Sequence, residues 1–98
     1  MQLTEKQRRH LRGLAHSLKP VILIGNGGLS DAVVAETARA LADHELIKVR
    51  LRGQEREVRD QSLTQLAERT QSALVARIGH VAVLYRTRPE MPRIILPA

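Results

Sequence analysis

Apolar positions along this chain alternate between a helical and an extended period. Leu11, Leu14, Ala15 and Leu18 fall on one helical face, which Leu3 extends at its start. Thr4 followed by Gln7 has capping-box spacing and opens that helix; Pro20 closes it, because the residue before a proline avoids the α region. Val21-Ile22-Leu23-Ile24 is a continuous apolar run, the pattern of a short strand covered on both faces. Gly25-Asn26-Gly27-Gly28 interrupts it. Ser30 is then a good N-cap, with Asp31 in the first turn, and Val33, Val34, Thr37, Ala38 and Leu41 form a helical stripe ending near His44. On the opposite face Glu36, Arg39 and Asp43 are spaced to pair with one another.

From Leu46 to Arg52 the pattern alternates strictly. Ile47, Val49 and Leu51 face one way, and Lys48, Arg50 and Arg52 the other, so this is a half-buried strand. Gly53 to Arg59 reads as a charged loop, and Ser62 with Gln65 as the cap of a third helix carrying Leu63, Leu66 and Ala67. Ala73–Ile78 and Val81–Tyr85 are strands around Gly79-His80, a hairpin connection. Ile94-Ile95-Leu96, among three prolines, can add a short edge strand. The order α-β-α-β-α-β-β, with a crossover between the first two strands, predicts an α/β two-layer sandwich with a four-stranded mixed sheet. Residues 1–98 make one domain, with a core over 2–88 and a tail over 89–98.

Charge is distributed unevenly. Residues 1–19 carry a balance of +4, residues 20–85 cancel, and residues 86–98 add +2, giving the net +6. A basic footprint confined to part of a small domain is a signature of polyanion binding, although a net charge of this size also serves solubility. Arg8, Arg12 and Lys19 form a one-signed strip beside the apolar face of the first helix, with Glu5 placed to pair with Arg9. Tyr85 is the only aromatic residue, so a sheet that stacks bases on exposed rings is excluded. With no cysteine there is no disulfide framework and no thiol nucleophile. No apolar run approaches the ~18–20 residues of a spanning helix, and the first residues lack a secretory h-region. No membrane role and a cytoplasmic location are therefore expected.

The glycine-rich segment offers the most chemistry. Lying between a strand and a helix N-terminus, it can bring backbone N–H groups close to an anion. Gly25-x-Gly27 matches the start of a dinucleotide fingerprint, but Ser30 stands where its third glycine belongs, and four strands cannot build two mononucleotide halves. No Gly-Lys-Ser/Thr follows, which removes a phosphate loop of the Walker type. A Gly-x-x-Gly clamp on a nucleic-acid backbone and a plain strand-to-helix turn remain open. His44-Glu45 is half of a zinc-protease motif whose second histidine position holds Lys48, and the other histidines share no ligand spacing. No metal, cofactor, hydrolase triad or small-molecule substrate is expected. Tyr85-Arg86 either touches a ligand or closes a half-buried strand end.

Taken in order, these segments resemble a known family. Leu3-Thr4, Lys6-Gln7-Arg8 and Leu11-Arg12 look like the opening of the CRM domain, the chloroplast RNA splicing and ribosome maturation module. Leu18-Lys19-Pro20-Val21, followed by Ile24-Gly25 to Gly28-Leu29-Ser30, is similar to its Gly-x-x-Gly loop. Ala40-Leu41, His44 to Val49, Ile78-Gly79 and Leu84-Tyr85-Arg86 continue the match. Asn26 stands where many members carry a lysine. The resemblance implies a fold like the C-terminal domain of translation initiation factor three. It also implies a non-enzymatic RNA-binding role, on large-subunit ribosomal RNA or its precursor particles. Gly25, Asn26, Gly27, Gly28, Arg8, Arg12, Lys19, Lys48, Arg50 and Arg86 are then the candidate RNA contacts. A protein–protein adaptor docking on an acidic ribosomal or assembly-factor surface through the same strip is the alternative.

Overall fold

The computed structural model describes residues 2–53 and 55–98. Its first helix, α1 (Glu5–Ala15), opens on the expected capping box: Gln7 N–H donates to Thr4 Oγ1 at 3.1 Å, and Thr4 N–H donates to Gln7 Oε1 at 3.0 Å. The helix stops at Ala15 rather than at Pro20. Leu18 N–H turns back to the Ala15 carbonyl, and the Lys48 ammonium takes the carbonyl of His16, so the end of the helix is satisfied before the proline is reached. Strand β1 (Pro20–Ile24) follows, then α2 (Asp31–His44), capped by Ser30 through a 3.2 Å bond from Val33 N–H. Strand β2 spans Leu46–Leu51.

Helix α3 (Arg56–Thr70) begins earlier than expected. Its N-cap, Glu55, makes no side-chain capping bond, so no cap signal marks this start. Ser62, read as the cap, lies mid-helix and buried beside Leu63 and Leu66. The predicted charged loop over 53–59 therefore shrinks to the turn before Arg56, and its Gln54 lies outside the described residues. Strands β3 (Ala73–Ile78) and β4 (Val81–Tyr85) form the expected hairpin, with Gly79 at φ +59° in the turn.

The sheet order is β1-β2-β4-β3, with β1 and β2 parallel and the other neighbours antiparallel. This is the predicted α/β fold of three helices and a four-stranded mixed sheet, but not in the expected two layers: α1 covers one face and α2 and α3 the other, because both faces of the sheet carry apolar side chains. Beneath α2 and α3, the main core joins Ile22, Ile24, Ile47, Val49, Leu51, Leu63, Leu66 and Leu84. Helix α1 lies on the other face, where Leu11 and Ala15 pack on Leu46, Val75, Val83 and Tyr85.

The C-terminal segment forms no strand. Ile94 and Leu96 pack against the α1 cluster instead, and the Pro97 carbonyl accepts from Gln7 Nε2 at 3.0 Å. Glu45 anchors the tail. This residue closes α2 at φ +62°, is fully buried, and accepts Arg93 N–H on Oε1 at 2.5 Å; its carbonyl accepts Arg86 N–H. Glu36, Arg39 and Asp43 form no ion pair with one another among the described residues. Asp31 instead pairs with Arg69 at 2.8 Å, and Asp60 with Arg77 at 2.7 Å, tying α3 to α2 and to β3. Among the described residues no helix is long and apolar enough to cross a membrane.

Candidate nucleic-acid interface

Paired residues in a sheet share a face, so the register shows which part of the α1 face stays open. Leu46, Tyr85 and Ala73 form one transverse row under α1. Lys48, Val83 and Ala76 form the next, at the edge of the helix. Beyond it, Leu23, Arg50, Val81 and Ile78 cross all four strands, and α1 borders this row only at Ile78. Leu23 is 53% exposed and Ile78 73%, with the Arg50 side chain between them in solvent. Helix α1 crosses the strands from β3, where Arg8 bonds Leu74 and Val75, to β2, where Lys48 meets His16, so its flank borders this half of the face and leaves it uncovered.

The glycine loop adjoins the open half. It leaves β1 at Ile24, whose carbonyl accepts Arg52 N–H at 2.9 Å, and it turns with a bond from Gly28 N–H to the Gly25 carbonyl at 3.0 Å. Gly28 needs its glycine, because its φ is +74°. Gly27 does not need one for the fold: its φ is outside the left-handed region, and an added Cβ would meet nothing within 4 Å. Asn26 extends across to Gly53, where its side chain fills the space a Cβ would take, and Gly53 itself sits at φ +73°. The loop before α2 and the turn before α3 are thus fitted to each other.

At the other border of the open half lies a groove of about 490 Å3 lined by Arg9, Arg12, Gly13, Ala15, His16, Lys48, Ile78 and Val83. Arg9 and Arg12 are exposed along it, and no carboxylate lines it. From Lys48 to Arg52 the strand direction covers about 13 Å at ~3.3 Å per residue. The glycine loop and α1 therefore do not close on one phosphate. They stand at two ends of a floor whose cations are Lys48 and Arg50.

Two candidate residues are held by the fold. Arg8 donates from Nη1 to the carbonyls of Leu74 (2.5 Å) and Val75 (3.0 Å), at the register shift on the outer edge of β3. Its Nε pairs with Glu5 at 3.8 Å, the partner expected for Arg9. Arg86 donates to the carbonyls of Thr70 (2.9 Å) and Ala38 (3.0 Å), tying the end of α3 and the middle of α2 to the end of β4. Neither guanidinium points freely to solvent. Arg9, assigned to a surface ion pair by spacing, occupies the groove instead. Lys19 is exposed but lies on the opposite flank of α1. Arg52 belongs with Arg50 at the loop end; the alternation of β2 already marked it. No group of three or more metal-ligating side chains occurs among the described residues.

Known proteins match this chain over nearly its whole length. An RNA-binding protein of Haemophilus influenzae is 44% identical over 88 residues, 90% of this chain and 89% of that protein. One named as a probable RNA-binding protein in Bacillus subtilis is 39% identical over 95 residues, 97% of this chain and 99% of that one. The solution structure of a hypothetical Staphylococcus aureus protein, described as a candidate RNA binder, superposes with a TM-score of 0.85 at 38% identity. It covers 98% of this chain and 100% of that one. Residues 3–86, from the capping box to the arginine that closes α2 and α3 onto β4, match the family model itself, and the chain belongs to the CRS1/YhbY (CRM) domain family.

Proposed function

We propose that this protein is a non-enzymatic RNA-binding protein acting on large-subunit ribosomal RNA during assembly. Relatives covering nearly the whole chain are named as RNA-binding proteins, which supports RNA as the ligand. The observation that carries the geometric reading is the open row Leu23-Arg50-Val81-Ile78, bordered by the glycine loop and by the Arg9–Arg12 groove. In this reading phosphates lie over Arg50, Lys48, Arg9 and Arg12, while backbone N–H groups of the glycine loop meet the strand at one end. Sugars and base faces rest on Leu23, Val81 and Ile78, in place of aromatic platforms. Specificity then comes from shape and backbone rather than stacking.

Gly27→Asp is the decisive variant, because the site tolerates a side chain sterically and the change adds a negative charge where phosphate should lie. The folded variant is expected to lose about 1–3 kcal/mol of binding to a ribosomal RNA fragment, measured by fluorescence anisotropy. Affinity equal to the parent's, in a variant that melts like the parent, would remove the loop from the interface. Sedimentation with large-subunit precursors, abolished by nuclease, tests the assembly role separately.

A further inference from the structure

A second groove, of about 450 Å3, runs along the other flank of α1. Leu14 walls it from the end of α1, Leu18 from the turn after that helix, Val21 from β1, Leu46 and Ile47 from β2, and Ile94 from the tail. Leu14 is 43% exposed, Leu18 38% and Val21 49%, so three neighbouring large apolar side chains face water together. Single exposed leucines are ordinary, whereas a contiguous apolar surface with a polar rim marks a place that something covers. The chain's own tail already lends Ile94 to the wall, and the next residue, Ile95, points away at 85% exposure.

The polar side chains lining the groove are Lys19 and His44, and no carboxylate is among them. Helix-end carbonyls would repel an anion here, but at the end of α1 Gly13 accepts His16 N–H, Ala15 accepts Leu18 N–H, and the His16 carbonyl beyond it accepts the Lys48 ammonium. The exposed Lys19 ammonium forms no ion pair among the described residues. RNA fits poorly, since one lysine above an apolar wall cannot neutralise successive phosphates. A second copy fits poorly too: a groove-to-groove contact would bring Lys19 onto a lining that holds no carboxylate, between chains of net charge +6.

We propose that this groove is a docking site for an apolar segment of a partner protein flanked by carboxylates. The partner's apolar side chains fill the space between Leu14, Leu18 and Val21, and an acidic residue pairs with Lys19. Helix α1 separates this surface from the Arg9–Arg12 groove, so the partner and an RNA are held on opposite flanks of one helix and do not compete.

The test uses two short synthetic peptides with identical leucine spacing, one with glutamate at every polar position and one with lysine. Each is titrated into the isotope-labelled full chain and followed by amide chemical shifts. The glutamate peptide is expected to move the resonances of Leu14, Leu18, Lys19 and Val21 and leave those of Arg9 and Arg50 in place. Leu18→Ser is expected to weaken it about tenfold, the scale of one half-buried leucine. Lys19→Glu, at a solvent-facing position, should reverse the preference between the two peptides. Absence of shifts at millimolar peptide, or equal response to both peptides, overturns the proposal. So does concentration-dependent self-association or RNA binding mapped to the groove, since either names a different occupant.

Discussion

Gly27 and Gly53 are both glycines in turns that meet at the end of the sheet, but what a methyl group would encounter differs completely. At Gly27 the added carbon enters open space at an ordinary φ; at Gly53 it enters the Asn26 side chain at φ +73°. Gly27→Ala is therefore expected to leave the melting temperature nearly unchanged. Gly53→Ala should cost about 1–3 kcal/mol, combining left-handed strain with displacement of Asn26. Thermal melts of the two variants check this, and equal losses would refute the distinction. Asn26 thus has a local packing role within the glycine loop. Glu45 is a similar case. In sequence it looked like part of a metal motif, and in the fold it ends α2 and fixes the tail through Arg93.

At the scale of elements, α1 carries two adjacent arginines with opposite duties. Arg8 satisfies two carbonyls on the outer edge of β3, and Arg9 lines the open groove. Arg8→Ala is expected to lower stability by about 1–2 kcal/mol with little effect on RNA affinity per folded molecule. Arg9→Ala should do the reverse. Chemical denaturation together with anisotropy separates the two, and a shared effect would mean that α1 has a single basic surface. The capping box, the alternation of β2 and the Gly79 hairpin were legible because each depends on residues close in sequence. The start of α3 was not, because Glu55 makes no capping bond while Ser62 and Gln65 imitate one. Nor was the fate of Arg8, whose acceptors at Leu74 and Val75 arrive only when β3 forms beside α1. The glycine loop between β1 and α2 and the outward cation Arg50 of β2 were legible as positions, but which arginines remained available was not.

Across the whole molecule, the two ends of the sequence come together. The tail binds α1 through Ile94, Leu96 and the Pro97–Gln7 bond, while its Arg86 and Arg88 lie against α2, so the charge excess of residues 1–19 stays at the α1 end of a body 37 × 24 × 23 Å in extent. With a Debye length of ~8 Å at physiological salt, an RNA approaching the far side hardly senses that end. Binding should follow counterion release at about four phosphates, giving a log–log salt slope near −3 on single strands at ~0.7 per contact. Titrations over a range of salt measure it; a slope near zero would show that this basic region is not the contact surface.

The packing of α1 also sets an order of events during synthesis. This helix is made before the sheet, and most of its seat, Val75, Val83 and Tyr85, is made much later. While the chain is still emerging, Leu11 and Ala15 have nothing to cover them, and the arginines beside them have no fixed orientation. The surface that carries Arg9 and Arg12 takes shape only when β4 pairs with β2 and β3. A partly made chain is thereby kept from presenting that surface before the rest of the protein exists.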